Sequence, residues 1–176
     1  MKNEIDIPEG IQAKIEGNKI TISKEGKELT RLYPTRLINI KLENNALDVT
    51  GFSDIAKSRA IVGTIKSHIR NMIQGLQEPF VYKLKVCSVH FPMSVKQSGN
   101  EITIQNFLGE KKHRKVKVTT DSEIRIEGQD ITVSSHDKEA AGLVASRLEQ
   151  ATRLRKKDRR IFQDGIFITE KAGKAI

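Results

Sequence analysis

An internal repeat constrains the fold of this chain more than any other feature. Alternating apolar and polar residues predict a hairpin over 12–23, and the same pattern returns over 94–105 at an offset of 82. Asp54 and Asp137, each placed to begin a helix, are 83 residues apart. Two unrelated strand-rich units would share the alternation but would have no reason to keep this spacing. An offset that stays between 82 and 84 residues therefore indicates a duplicated unit.

Each unit contains one predicted helix. The first begins at Ser53 or Asp54, and its apolar residues recur at steps of three and four, as a single buried face requires. Gly75 and Pro79 are expected to end it. The second helix is opened by Asp137 and is expected to extend into the basic residues that follow it.

A strand is expected after each helix, carrying Tyr82 in the first unit and Ile166 in the second. The order of elements is then five strands, a helix and a strand, twice over. We therefore predict an α+β fold with two tandem similar domains, 1–82 and 83–176. Each is a small, mostly antiparallel sheet packed with one helix. Because neither unit can bury much alone, the two are expected to pack together.

The positive charge is concentrated in the second unit. Residues 1–82 carry 12 Lys+Arg against 10 Asp+Glu, whereas residues 83–176 carry 19 against 12. This division suggests that only the second unit meets a polyanion. The candidate phosphate-binding residues form two runs and a terminal pair: Lys111, Lys112, His113, Arg114 and Lys115; Arg153, Arg155, Lys156, Lys157, Arg159 and Arg160; and Lys171 with Lys174.

A solvated surface is the ordinary explanation of a basic run, but two observations favour nucleic acid here. Six cations within the eight residues 153–160 repel one another unless a polyanion neutralises them. The run at 111–115 falls on the corresponding sheet edge, so both runs could form one binding surface. Aromatic residues are only 5% of the chain, and no motif for stacking unpaired bases is present. Docking on the phosphates of a double-helical RNA therefore fits better than base reading, and arginine forks suit phosphate.

No pattern in the sequence predicts catalysis, a cofactor or a metal site. Cys87 and His90 have the spacing of a nucleophile and a base, but no orienting acid is evident nearby. We therefore interpret Cys87 as a small buried thiol at a strand end and His90 as part of the connection between the units. The four histidines lack metal-ligand spacing, and a single cysteine excludes an internal disulfide. No Gly-rich phosphate loop occurs.

No apolar run approaches the roughly 20 residues needed to cross a bilayer. The beginning of the sequence, MKNEIDIPEG, also lacks the apolar region of a secretion signal. We therefore expect a cytoplasmic protein without a membrane partner.

Two segments carry a family resemblance: VHFPM at 89–93 and DRRIFQDGIF at 158–167. With the duplicated unit, they resemble ribosomal protein six of the large subunit in its archaeal and eukaryotic form, over nearly the whole chain. The resemblance implies two similar α+β domains, with Gly165 and Ile166 fixing the closing strand. The bacterial form ends in a Gly/Tyr/Pro-rich tail that this chain lacks, so contacts of that tail do not carry over to 171–176.

The resemblance further implies a structural constituent of the large ribosomal subunit, not an enzyme. Its C-terminal domain would bind large-subunit rRNA through the two basic runs, beside the sarcin–ricin loop and the base of the stalk. Its partners would be that rRNA and neighbouring ribosomal proteins, with translational GTPases docking nearby. The alternative is a free-standing adaptor that binds RNA with one unit and a protein with the other. A nuclease or hydrolase would need a carboxylate cluster that the sequence does not show.

Overall fold

The computed structural model describes residues 4–43, 46–53, 55–118, 121–155 and 157–176. The chain divides into two units between Glu78 and Pro79. The candidate residue Lys156, the predicted turn at 44–45 and the candidate cap Asp54 lie outside the described residues.

The N-terminal unit is built from two antiparallel sheets and a helix. Its elements are β1 (Glu4–Asp6), β2 (Gln12–Glu16), β3 (Lys19–Lys24), β4 (Lys27–Leu32), β5 (Ile38–Glu43), β6 (Ala46–Gly51) and α1 (Ala56–Gln77). One sheet has the order β2-β3-β4 and the other β1-β6-β5. The predicted first hairpin is confirmed, with Ile15 opposite Ile20 and a positive φ of 59° at Gly17 in its turn.

Helix α1 packs its predicted apolar stripe into the core of this unit, with Ile65, Ile69 and Leu76 buried. Its first turn differs from the prediction. The N-cap is Ile55 without a side-chain cap, so the cap predicted at Ser53 is wrong. The helix ends at Gln77, two residues before Pro79, as predicted, although Gly75 lies inside the helix and does not adopt a positive φ.

The C-terminal unit repeats this plan and adds a hairpin. Its elements are β7 (Phe80–Cys87), β8 (Ser94–Ser98), β9 (Glu101–Gln105), β10 (Arg114–Lys117), β11 (Glu123–Glu127), β12 (Asp130–Ser135), α2 (Lys138–Ala151), β13 (Gly165–Lys171) and β14 (Lys174–Ala175). The sheets have the orders β8-β9-β10 and β11-β12-β7-β13-β14. Buried residues of α2, among them Val144 and Leu148, share one core with both sheets.

The strand around Tyr82 belongs to the second unit, where the sequence placed it at the end of the first. Strand β7 pairs with β12 on one side and with β13 on the other. The equivalent pair in the N-terminal unit is β1 with β6. Each repeat therefore begins with a strand, and the predicted boundary at residue 82 falls inside β7. Alternation of apolar and polar residues shows that a strand has a buried face, but it does not show which sheet the strand joins. Strand β1, with three residues, is too short to be predicted from alternation.

Helix α2 begins as predicted and ends earlier than predicted. The Asp137 carboxylate accepts a hydrogen bond from the Glu139 N–H at 2.9 Å, which confirms the cap. The helix ends at Ala151, so the expected extension into the basic run is wrong. Buried Thr152 is the cause, because its Oγ1 donates to the Glu149 carbonyl and accepts from the Ile166 N–H. That side chain fixes the helix end to the start of β13.

In the part of the chain that is described, no helix is both long and apolar enough to span a membrane.

Candidate nucleic-acid interface

Three adjoining depressions run along the end of α2 in the C-terminal unit. Their volumes are about 330, 380 and 680 Å³, and Gln150 lines all three. The first and second share Lys115, and the second and third share Arg153. We call them together the cationic groove, whose basic lining residues are Arg114, Lys115, Lys117, Arg147, Arg153, Arg155 and Arg159.

The groove brings the two basic runs of the sequence together. Arg114 and Lys115 of β10 line its middle part together with Arg153 and Arg155. These two arginines belong to the loop between α2 and β13, residues 152–164, which we call the basic loop. The two runs meet because β10 and the end of α2 are in contact. The Arg114 Nη1 donates to the Ala151 carbonyl at 2.7 Å. Residues distant in sequence therefore share one surface, as expected from the two runs.

Arg114 is held within the protein more tightly than its neighbours. Its Nε and Nη2 donate to the two carboxylate oxygens of Glu110 at 2.9 and 2.6 Å, and its guanidinium lies 4.2 Å from the centre of the Phe107 ring. The hydrogen bond from Arg114 is the main reason that the pKa of Glu110 lies below its ordinary value. Arg114 therefore positions β10 against the end of α2 and adds positive charge to the groove.

Lys115 and the arginines of the loop are more available to a ligand. The Lys115 Nζ lies 2.8 Å from Glu101, and its side chain is 61% exposed. An exposed pair of this kind contributes at most about 1 kcal/mol, so a phosphate can replace the carboxylate at little cost. Arg153, Arg155 and Arg159 are exposed along the groove.

Other predicted residues lie elsewhere on the unit. Lys111, Lys112 and His113 form the exposed loop that leads into β10. Lys171 and Lys174 face each other at the β13–β14 turn. From the rise of a strand, Lys171 is roughly 20 Å from the start of β13 beside the groove. The terminal pair is therefore separate from the groove.

Two of the loop cations make contacts within the loop itself. The Lys157 Nζ lies 4.5 Å from the centre of the Phe162 ring. The Asp158 carboxylate accepts a hydrogen bond from the Arg160 N–H at 2.9 Å, which makes a local turn. These contacts hold residues 157–162 of the basic loop in place without a helix.

Lys117 and Arg147 belong to the groove although the sequence runs did not indicate them. Lys117 follows Lys115 by two residues and therefore points to the same side of β10. Arg147 precedes Ala151 by one helical turn, and its Nη1 donates to the Lys117 carbonyl at 3.4 Å. Both cations could have been found in the sequence by comparing the positions of single basic residues with the period of a strand or a helix, instead of looking for runs of charge.

The end of the basic loop is held by a buried carboxylate, Asp164. The side chain is 3% exposed, and its Oδ1 accepts from the backbone N–H groups of Val89 and His90 at 2.7 and 3.0 Å. Its Oδ2 is hydrogen-bonded to the His90 Nδ1 at 2.6 Å, and the His90 ring stacks on Phe162. Burial acts to raise the pKa of Asp164, but the hydrogen bonds from His90 and Val89 hold the pKa below its ordinary value.

This contact corrects two expectations about His90. The residue lies inside the C-terminal unit, between β7 and β8, and not between the two units. It also has an acid partner, which the sequence did not reveal because Asp164 is 74 residues away. The two segments that carried the family resemblance, 89–93 and 158–167, are thus the two sides of one contact. Among the described residues no cluster of His, Cys, Asp and Glu is suited to a metal ion.

Comparison with known proteins gives one consistent result. The family model described as "Ribosomal protein L6" matches residues 7–78 and 91–165. The "Large ribosomal subunit protein uL6" of Methanococcus vannielii is 41% identical over 176 residues, which cover 100% of this chain and 97% of that protein. The protein of the same description from Nanoarchaeum equitans (strain Kin4-M) is 40% identical over 184 residues, with 100% and 96% covered. The two matched stretches, one in each unit, confirm the predicted α+β fold with two similar domains in tandem.

Proposed function

Because the chain belongs to the ribosomal protein L6 family and is a structural constituent of the large ribosomal subunit, we propose that it binds large-subunit rRNA through the cationic groove. Association with rRNA and with other ribosomal proteins follows from membership of the family, which is structural and not enzymatic. The proposal adds which unit and which residues make the contact.

The observation that carries the proposal is the convergence of seven cations from three elements on one groove. Lys115 and Lys117 come from a strand, Arg147 from a helix, and the loop arginines from the segment after it. Cations held at fixed separations on folded elements suit the fixed phosphate spacing of a structured RNA. A flexible basic tail would provide the charge without this geometry.

The charge distribution supports the C-terminal unit as the rRNA-binding unit. Residues 83–176 have an excess of seven positive charges, whereas residues 1–82 have an excess of two. A position beside the sarcin–ricin loop and the stalk base, near the docking site of translational GTPases, is part of the same proposal and rests on the family resemblance. So does a cytoplasmic location on the ribosome.

The dependence of binding on salt tests this proposal. If about five phosphates are neutralised, the logarithm of the affinity of the full chain for large-subunit rRNA fragments should fall with the logarithm of the salt concentration, with a slope of roughly −3.5 to −4.5. Filter binding between about 50 and 200 mM KCl measures this slope. Binding that does not respond to salt would contradict a phosphate-dominated interface. Equal affinity for small-subunit rRNA fragments of the same length would contradict specific recognition of large-subunit rRNA.

A further inference from the structure

The third depression of the cationic groove is a cavity with the largest volume of the three. Its volume is about 680 Å³, and it lies between the end of α2, the basic loop and the start of β13. Pockets of about 300–1,000 Å³ commonly bury most of a drug-sized ligand. The cavity has about twice the volume of either neighbouring depression, so it has room for a group larger than a phosphate.

The lining of the cavity combines apolar and polar side chains. Leu154 and Phe167 are half-buried, and Phe162 also lines the cavity, although its ring already contacts His90 and Lys157. The exposed polar residues of the lining are Glu149, Gln150, Arg153, Arg159 and Gln163. A nucleobase has the matching character, with flat apolar faces, a polar edge and an adjoining phosphate. In single-stranded loops and bulges, proteins commonly bind such bases against aromatic rings and arginine planes.

We infer, on the basis of the proposed rRNA binding, that this cavity receives one unpaired nucleobase from the RNA whose phosphates lie along the groove. The continuity of the lining supports this assignment, because Gln150 and Arg153 border both the cavity and the phosphate-binding part. A strand lying along the groove thus reaches the mouth of the cavity. An unpaired base costs less to extrude than a paired one, so a bulged nucleotide is the favoured ligand.

Bulged RNA duplexes test the inference directly. The probes are one fully paired duplex, called flush, and four otherwise identical duplexes with a single bulged A, G, C or U. Each has about 20 base pairs, which is long enough for a protein that recognises the shape of the duplex. The full chain should bind at least one bulged duplex about tenfold more tightly than the flush duplex, since one buried base is typically worth that much. Equal affinity for all five, within about twofold, would overturn the inference.

A variant and a chemical probe locate the effect in the cavity. Gln163→Ala should reduce the preference for the bulge while leaving the salt dependence unchanged, because it removes no charge. Gln97→Ala, at an exposed glutamine of β8, is the matched control and should keep the full preference. Full preference in Gln163→Ala would place the base elsewhere and overturn the assignment.

Cys87, the single cysteine of the chain, lines the same cavity and is partly accessible. At equal occupancy, the preferred bulged duplex should slow its alkylation by iodoacetamide more than the flush duplex does. Equal rates would contradict insertion of a base. Salt-dependent binding without a preference for the bulge and without protection of Cys87 would contradict this inference but not the proposed function. Failure of every duplex and every rRNA fragment to bind would contradict the proposed function itself.

Discussion

Asp164→Ala is expected to lower the free energy of unfolding of the C-terminal unit by about 3 kcal/mol, because it removes a buried carboxylate that accepts hydrogen bonds from the backbone N–H groups of Val89 and His90 and from the His90 ring. The basic loop then loses its attachment at one end. The arginines that line the groove should no longer hold their positions, so the affinity for rRNA should fall as well.

Native-state hydrogen exchange of the full chain measures this effect unit by unit. Protection of the β7 and β13 amides should fall by about 100-fold, since a tenfold change corresponds to about 1.4 kcal/mol. Amides of β3, in the other unit, serve as an internal reference and should not change. Glu127→Ala, at the exposed last residue of β11, should change stability by less than about 0.5 kcal/mol. Unchanged protection of β13 in Asp164→Ala would show that the carboxylate does not hold the loop.

The same carboxylate predicts an acid dependence of stability. The folded pKa of Asp164 lies below the unfolded value of about 3.9. Its contribution is therefore complete well above the unfolded pKa and is lost as the pH falls through the lower, folded pKa. Asp164→Asn should remove this part of the acid destabilisation, and an unaltered pH profile of the variant would contradict the assignment.

Neutralising the loop arginines is expected to have the largest effect on RNA binding. Replacement of Arg153, Arg155 and Arg159 by glutamine should reduce the steepness of the salt dependence by about 2 and weaken binding by about 100-fold near 0.1 M salt. The side chains are exposed, so the fold should be retained. Binding titrations at several salt concentrations measure both quantities.

The matched control neutralises the same number of cations in the N-terminal unit: Lys41, Lys57 and Lys66. The control variant should bind rRNA fragments with nearly the affinity and slope of the unaltered chain. Equal losses in the two triple variants would mean that net charge, and not the groove, determines binding.

Local periodicity was sufficient to predict much of the fold. The apolar steps of α1, the hairpin turn at Gly17 and the cap at Asp137 are properties of a few neighbouring residues, and all are found in the structure. The unit to which β7 belongs could not be predicted in this way, because it depends on the pairing of β7 with β13, about 80 residues further on. The end of α2 likewise depends on a hydrogen bond between Thr152 and Ile166. Neither contact has a local signal.

The positive charge of the candidate interface could be predicted from the sequence, but its shape could not. The basic runs indicated Lys115 and Arg153, and the structure places both in one groove. Lys117 and Arg147 were missed because each is an isolated cation whose role depends on the packing of β10 near α2. The sequence also favoured phosphate contacts alone, because the cavity beneath the basic loop forms only when distant segments come together.

A crosslink map of the protein in the assembled large subunit tests the central claim most directly. If the groove binds rRNA, short-range lysine–RNA crosslinks should concentrate on Lys115 and Lys117, with Lys41 and Lys57 of the other unit giving few. Crosslinks confined to the N-terminal unit, with the groove lysines still open to acylation in the intact subunit, would contradict the account.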